Sequence, residues 1–202
     1  GVSKGGRDYT IFRIGELHGR VTARAERVAQ LLETADSAKT TTNLWGERWS
    51  KLVANSMTSG LCGVLGMSLN EMIGWAPSRR VQMRLGAEAI AVGMAAGFAM
   101  EPIRGVFPER WLAAAAGDAS ALAEVEAKMV EFNARRTSEG RSGTAQDLAK
   151  GRRTEVDFMN GYVVAKGAEV GVAAPTHAAL TDLIKRMERR ELAPSRNLIE
   201  AL

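Results

Sequence analysis

The spacing of apolar residues changes early in the chain. Across residues 9–17 the positions Tyr9, Ile11 and Ile14 alternate enough to predict a strand, closed by the turn Leu17-His18-Gly19. Over residues 21–34 the interval becomes three and four, through Val21, Ala25, Val28, Leu31 and Leu32, which predicts a helix. The short β-branched run Ala38-Lys39-Thr40-Thr41-Thr42 predicts a second strand. Together these form a β-α-β segment. Everything beyond it reads as helix.

Residues 44–61 carry an apolar stripe of Trp45, Trp49, Leu52 and Val53, and Lys51, Asn55 and Ser59 fall four apart on a face beside it. Helices are also predicted at 68–73, at 81–100 with a break at Glu101-Pro102, and at 119–134. Gly93 and Gly97 lie one turn apart, spaced to let another helix approach closely. The polar run 135–143 reads as a loop, and 145–167 as one long helix bent near Gly151. Gly171 ends that helix, and Pro175 opens a last one that fades near Leu192. The expected architecture is mainly α, with a β-α-β piece at 1–43 and a helical domain at 44–202.

Composition narrows the class. At 202 residues, 46% hydrophobic and 25% charged, the chain has the make-up of a soluble globular protein. Residues 1–6 read as a cut end or a tag scar, and the most apolar run, 89–100, is too short to span a bilayer. A lone cysteine, Cys62, beside Leu61, Val64 and Leu65, reads as a buried, inert thiol and suits a reducing cytoplasm. The net charge of +4 is spread over scattered arginines and aromatics make up 5%, a pattern that argues against nucleic-acid binding. His18 and His177 have no second ligand at metal-binding spacing, so no metal is expected.

Three side chains are candidates for chemistry. Lys51, at the edge of an apolar stripe, could be part-buried and poised to give a proton to a developing alkoxide, or it could lie with its stem on the core and its head in water. Asn55 can both donate to and accept from a substrate, or satisfy a helix backbone. Glu155 follows Thr154, and Thr154-x-x-Asp157 fits a helix capping box, which would leave Glu155 merely exposed. Helical spacing would place Asp147 and Gly151 on the face of Glu155. Asp157 and Asn160 read as structural.

Two short motifs bring these residues together. Trp49-Ser50-Lys51-Leu52-Val53-Ala54-Asn55 precedes by about a hundred residues the run Gly151-Arg152-Arg153-Thr154-Glu155-Val156-Asp157-Phe158-Met159-Asn160-Gly161-Tyr162. In that order, and with Gly167-x-x-x-Gly171-x-x-x-Pro175 after them, they resemble the C-terminal half of the ketopantoate reductase (2-dehydropantoate 2-reductase) family. The resemblance implies the helical domain of a 6-phosphogluconate-dehydrogenase-like two-domain reductase. Residues 1–43 would be the tail of an NADP-binding Rossmann domain, and a homodimer could form through the helices. It implies NADPH-dependent reduction of a small 2-oxo acid, with Lys51 as proton donor and Asn55 as a substrate ligand. Glu155 would lie near both the substrate hydroxyl and the nicotinamide ribose. NADP(H) would be held mainly by the domain upstream, because no Gly-x-Gly-x-x-Gly loop occurs here. The residues present would by themselves be inactive.

The chain departs from the family pattern at three places. Ser59 stands where members carry an asparagine. In the Ser-Met-x-Gln-Asp run, Gln146 and Asp147 match but Gly143 replaces the serine, leaving Ser142 or Thr144 to substitute. Gly140 replaces a further asparagine. Two rival readings follow: a dehydrogenase of another 2-oxo or 3-hydroxy acid, favoured by Gly140 and Gly143, and a non-catalytic helical dimerisation module, favoured by Gly93 and Gly97.

Overall fold

A computed structural model describes residues 11–134 and 140–202; Tyr9 and residues 135–139 of the expected loop lie outside the described part. The chain forms two compact units, one ending at Trp49 and the other running Ser50–Leu202.

In the first unit, β1 (Phe12–Ile14) and β2 (Ala38–Thr40) pair in parallel, with Phe12 opposite Ala38 and Ile14 opposite Thr40. They are joined by α1 (Ala23–Glu33), whose first turn is capped by the Thr22 hydroxyl accepting from Ala25 N. Only Ala25 and Ala29 of α1 are buried, while Val28 and Leu31 of the predicted stripe are exposed. Two three-residue strands cover one strip of a helix and no more.

The second unit is helical. The helices are α2 (Leu44–Ser56, which begins in the first unit), α3 (Ser59–Leu65), α4 (Leu69–Gly74), α5 (Ala76–Ala95), α6 (Pro108–Ala115) and α7 (Ala119–Ala134). They continue as α8 (Gly143–Ala149), α9 (Asn160–Val170) and α10 (Pro175–Glu188), with 3-10 turns at Val156–Phe158 and Arg196–Ala201. Helix α5 is the spindle: Val81, Leu85, Ala89, Ile90 and Val92 are buried, and α4, α6, α9 and α10 pack around it. Pro77, Pro108 and Pro175 sit in the first turns of α5, α6 and α10, where their missing N–H has no helical partner to lose.

Three expectations fail, each for a local reason. The stretch 81–100 is α5 shifted toward the N-terminus, starting at Ala76 and stopping at Ala95. Gly97 takes φ +80° just beyond the end, and a Cβ there would touch nothing within 4 Å, so Gly97 terminates a helix and is no packing surface. A glycine that does admit a close neighbour is Gly167 of α9, where a Cβ would sit 2.5 Å from the Val172 carbonyl oxygen and 3.2 Å from Val92. The supposed single helix 145–167 is α8 and α9 with an irregular segment between them. Gly151 at φ +63° turns the chain out of α8, and Arg152 N–H closes that end by donating to the Asp147 carbonyl at 2.8 Å. Nor does one helix run through 44–61, as the site itself explains.

Candidate functional site

Helix α2 buries Val53 and, just beyond its end, Met57. Lys51 and Asn55, one turn apart, are exposed. Lys51 is therefore not part-buried as its neighbours suggested. The helix stops at Ser56 because hydroxyl groups turn back on it: Ser56 Oγ donates to the Val53 carbonyl at 3.1 Å and Thr58 Oγ1 to the Ala54 carbonyl at 3.3 Å. The Ser56 carbonyl accepts from Asn160 Nδ2 at 3.0 Å. Ser59 thus opens a new helix, α3, and does not share a helix face with Lys51 and Asn55.

Ser59 is half-buried against the start of α8. Its hydroxyl lies 3.0 Å from Thr144 Oγ1, and its carbonyl accepts from Ser142 Oγ at 2.8 Å. Ser142 also caps α8, its hydroxyl oxygen accepting from Ala145 N at 3.2 Å. Gly63, one turn along α3, allows this approach: a Cβ there would meet Leu148 at 3.0 Å and Thr144 at 3.2 Å. Gly143, by contrast, has open space where its side chain would be.

Glu155 stands in a segment held on both sides by α10. Thr154 donates from its backbone N–H and its hydroxyl to Glu188 Oε1, each at 2.7 Å, and its hydroxyl oxygen accepts from Val156 N at 3.2 Å. Val156 is buried. Asp157 accepts from Lys185, and from Arg153 at 3.0 Å. Those two cations hold the Asp157 carboxyl below the usual range, Lys185 first. Burial pushes the Glu188 carboxyl up, but the Thr154 donors and Lys185 bring it down on balance. Thr154 and Asp157 are therefore not partners in a capping box. Each ties one flank of Glu155 to the same turn of α10. The Glu155 carboxylate is exposed and makes no hydrogen bond or ion pair among the described residues.

Asn160 and His177 form the polar centre of the unit, both fully buried. His177 Nε2 lies 2.8 Å from the Leu85 carbonyl, which can only accept, so the ring proton is on Nε2. Nδ1 then accepts from Asn160 Nδ2 at 3.0 Å, and the second hydrogen of that amide goes to the Ser56 carbonyl. Burial lowers the imidazole pKa below its ordinary 6.5, which keeps the ring neutral. The Glu88 carboxylate caps α10 by accepting from Thr176 N at 3.0 Å and His177 N at 3.1 Å. Four helices meet here.

Sequence reasoning gave His177 no role and missed Glu88, Lys185 and Glu188. Glu188 contacts Thr154 across 34 positions, and no local spacing announces that. The described residues include a groove of about 450 Å³ beside Gly63, Leu148 and Met187, and another of about 490 Å³ beside Val81, Ala114 and Ile199. Neither is lined by Lys51, Asn55, Ser59 or Glu155. Among the described residues no helix is long and apolar enough to cross a membrane.

The second unit is thus a set of helices wound on α5, with a lysine and an asparagine one turn apart on α2 and a glutamate before α9 whose neighbours are tied to α10. The family model "Ketopantoate reductase PanE/ApbA C terminal" matches residues 43–188, and the chain belongs to that family. A 2-dehydropantoate 2-reductase of Archaeoglobus fulgidus is 28% identical over 184 residues, covering 91% of this chain and 54% of that protein. A PanE/ApbA family ketopantoate reductase from Ralstonia eutropha superposes with TM-score 0.66 at 22% identity, over 91% of this chain and 53% of the other. D-mandelate dehydrogenase in complex with NADH superposes with TM-score 0.70 at 23% identity, over 88% and 54%. The chain spans about half the length of these relatives.

Proposed function

We propose that this chain supplies the proton-donating, substrate-binding half of an NADPH-dependent reductase that converts a small 2-oxo acid, 2-dehydropantoate first, to the 2-hydroxy acid on the way to pantothenate. The observation that carries this reading is how the two motifs divide. Thr154, Val156, Asp157 and Asn160 are engaged by the fold, whereas Lys51, Asn55 and Glu155 are exposed and without side-chain partners among the described residues. Three functional groups left over by folding are available to a ligand.

In this reading Lys51 donates a proton to the keto oxygen as it becomes an alkoxide, and its charge stabilises that oxygen as it develops. Asn55 orients the substrate through donor and acceptor groups without adding charge. The nicotinamide cofactor supplies the hydride when bound. The residues here fit one edge of it: the Glu155 carboxylate, left open to solvent, can accept from ribose hydroxyls. The pyrophosphate would be held by a glycine-rich turn in an upstream domain, of which residues 1–43 form the tail; the parallel β1-α1-β2 arrangement favours that assignment. A homodimer and a cytoplasmic location belong to the same reading.

The test is NADPH oxidation by the full-length protein with 2-dehydropantoate against a panel of smaller and bulkier 2-oxo acids. Preference for 2-dehydropantoate is expected. Another acid ahead by several orders of magnitude in kcat/KM would replace the substrate and keep the reductase; the open space at Gly143 favours that second reading. No turnover with any 2-oxo acid would overturn both.

A further inference from the structure

Helix α10 ends in a Schellman motif: Glu191 N donates to the Arg186 carbonyl and Arg190 N to the Met187 carbonyl, each at 2.9 Å. The residue after the cap in such a motif is left-handed, a conformation glycine usually supplies because a Cβ there is crowded. Here Arg190 supplies it, at φ +63°, one of two non-glycine residues with a positive φ among the described residues. A long side chain kept where glycine would sit with less strain points to a use for that side chain.

Arg190 lines the groove of about 450 Å³, a volume within the range of small-molecule sites. Ala145 and Ala149, one turn apart on α8, form a wall, and the buried Met67 and Met187 add apolar surface. The chain leaving α10 is fastened across α3: Ser195 N donates to the Val64 carbonyl at 2.9 Å, and Pro194 lies against Gly66, where a Cβ would be 3.1 Å from it.

The charge in this groove is one-sided. Arg141, just before α8, and Arg190 are exposed, and neither guanidinium makes a hydrogen bond or ion pair among the described residues. Arg190 Nη2 lies over Gly151, where a Cβ would be 3.4 Å from it. Glu191, the acid among the lining residues, is already taken, with Arg189 donating to both its oxygens. Glu71 is taken as well: its carboxyl is lowered by the Ser68 donors first and by Arg196 and Arg141 after them. Two cations without local partners, set over apolar walls, suit an anion with an apolar body.

We propose that this groove is a binding site, separate from Lys51, Asn55 and Glu155, for a small organic anion whose phosphate or carboxylate is held by Arg190 and Arg141 and whose short apolar body lies against Met67, Ala149 and Met187. The site does not depend on the reductase reading.

The experiment is calorimetric titration of the full-length protein with hexyl phosphate, hexanoate, inorganic phosphate and hexanol, repeated on Arg190→Gly, Arg141→Gln and Ala149→Leu. Hexyl phosphate or hexanoate should bind, and hexanol should bind about tenfold or more weaker, for want of charge-assisted hydrogen bonds. Arg190→Gly and Arg141→Gln should each weaken the anion by about tenfold or more. Arg190→Gly should keep or raise Tm, since it puts glycine in the left-handed position, so its loss of binding is not a loss of fold. Ala149→Leu places a good helix former at an exposed position and fills the groove; it should weaken hexyl phosphate and leave inorganic phosphate unchanged. Equal affinity in wild type and Arg190→Gly, hexanol as tight as hexyl phosphate, hexyl phosphate indifferent to Ala149→Leu, or a lowered Tm in Arg190→Gly would each overturn the proposal. Lys51→Ala should bind hexyl phosphate as the wild type does; a weakened affinity there would put the anion beside Lys51 and overturn it too. If the wild type reduces no 2-oxo acid but shows this pattern of binding, the functional reading fails and this proposal stands.

Discussion

Asn55 and Asn160 are the same residue type, one in each diagnostic motif, and they meet opposite fates. Asn160 is fully buried, with both amide hydrogens donated, to the Ser56 carbonyl and to His177 Nδ1. Asn55, one residue before Ser56, is exposed, and its amide has no partner among the described residues. The same contrast holds between Asp157, paired to Lys185, and Glu155 two positions earlier. A polar group that a fold needs is held from several helices at once. A polar group that a fold could do without, placed beside such an anchor, is free to act on a ligand while inheriting the anchor's rigidity.

The sharpest way to break this contrast is to remove one member of each set. Lys51→Ala in the full-length protein should lower kcat and kcat/KM together, by ~10²–10⁴, the usual worth of general acid catalysis. Its stability should change by less than about 0.5 kcal/mol, as for an exposed residue outside the core. Near-full turnover with a lowered Tm would place Lys51 among the structural residues.

Asn160→Ala should do the reverse. It leaves the Ser56 carbonyl and His177 Nδ1 buried without a donor, at about 1–3 kcal/mol for each unsatisfied group. We expect a loss of about 3 kcal/mol in denaturant unfolding, against about 0.5 kcal/mol or less for Asn55→Ala, which should raise KM instead. Equal stability losses at the two asparagines would erase the distinction.

A smaller effect comes from pH. The native His177 pKa lies below 6.5, so the unfolded state binds the proton first as pH falls. The stability held above pH 6.5 is therefore lost progressively below it, with a slope of at most about 1.4 kcal/mol per pH unit for one proton. Glu188 and Asp157, whose native pKa values lie below 4.5 and 3.8, add their own losses in that more acid range. Unfolding midpoints measured from pH 7 to 5 should fall, and the fall should flatten in His177→Asn. A profile of the same slope in the variant would assign the loss to other groups.

The helices α1, α4, α7 and α10 and the break at Gly171 were legible because they rest on local spacing and on Gly and Pro signals. Helix α7 was bounded correctly at 119–134. What was not legible depends on partners distant in sequence. Nothing near Ser56 says that Asn160, 104 positions on, will take its carbonyl and help to end α2 there. Glycines misled for the same reason. Gly97 and Gly167 look alike in sequence, yet one ends a helix in open space and the other lies against the Val172 carbonyl. At the candidate site, Lys51, Asn55 and Glu155 were picked out by motif. That Ser142 is engaged as a cap, and that Thr144 points its hydroxyl at Ser59, required the packing of α3 on α8.

Gly143→Ser offers the smallest and most specific test, because it restores the residue of the family pattern at the edge of this corner. Gly143 is not in the left-handed region, and a Cβ there meets nothing within 4 Å, so the substitution carries no strain. It lies in the first turn of α8, where replacing glycine restricts the unfolded chain and should stabilise by about 0.5 kcal/mol. In the proposed reading, a hydroxyl at that position would give a 2-oxo acid a side-chain donor at the start of α8. KM for 2-dehydropantoate should then fall by less than tenfold, the worth of one added hydrogen bond of about 1 kcal/mol. The bulkier acids of the panel should lose ground, since the serine fills the space they would use. A Tm that rises with no change in KM for any acid would show that the open space at Gly143 faces solvent and not the ligand.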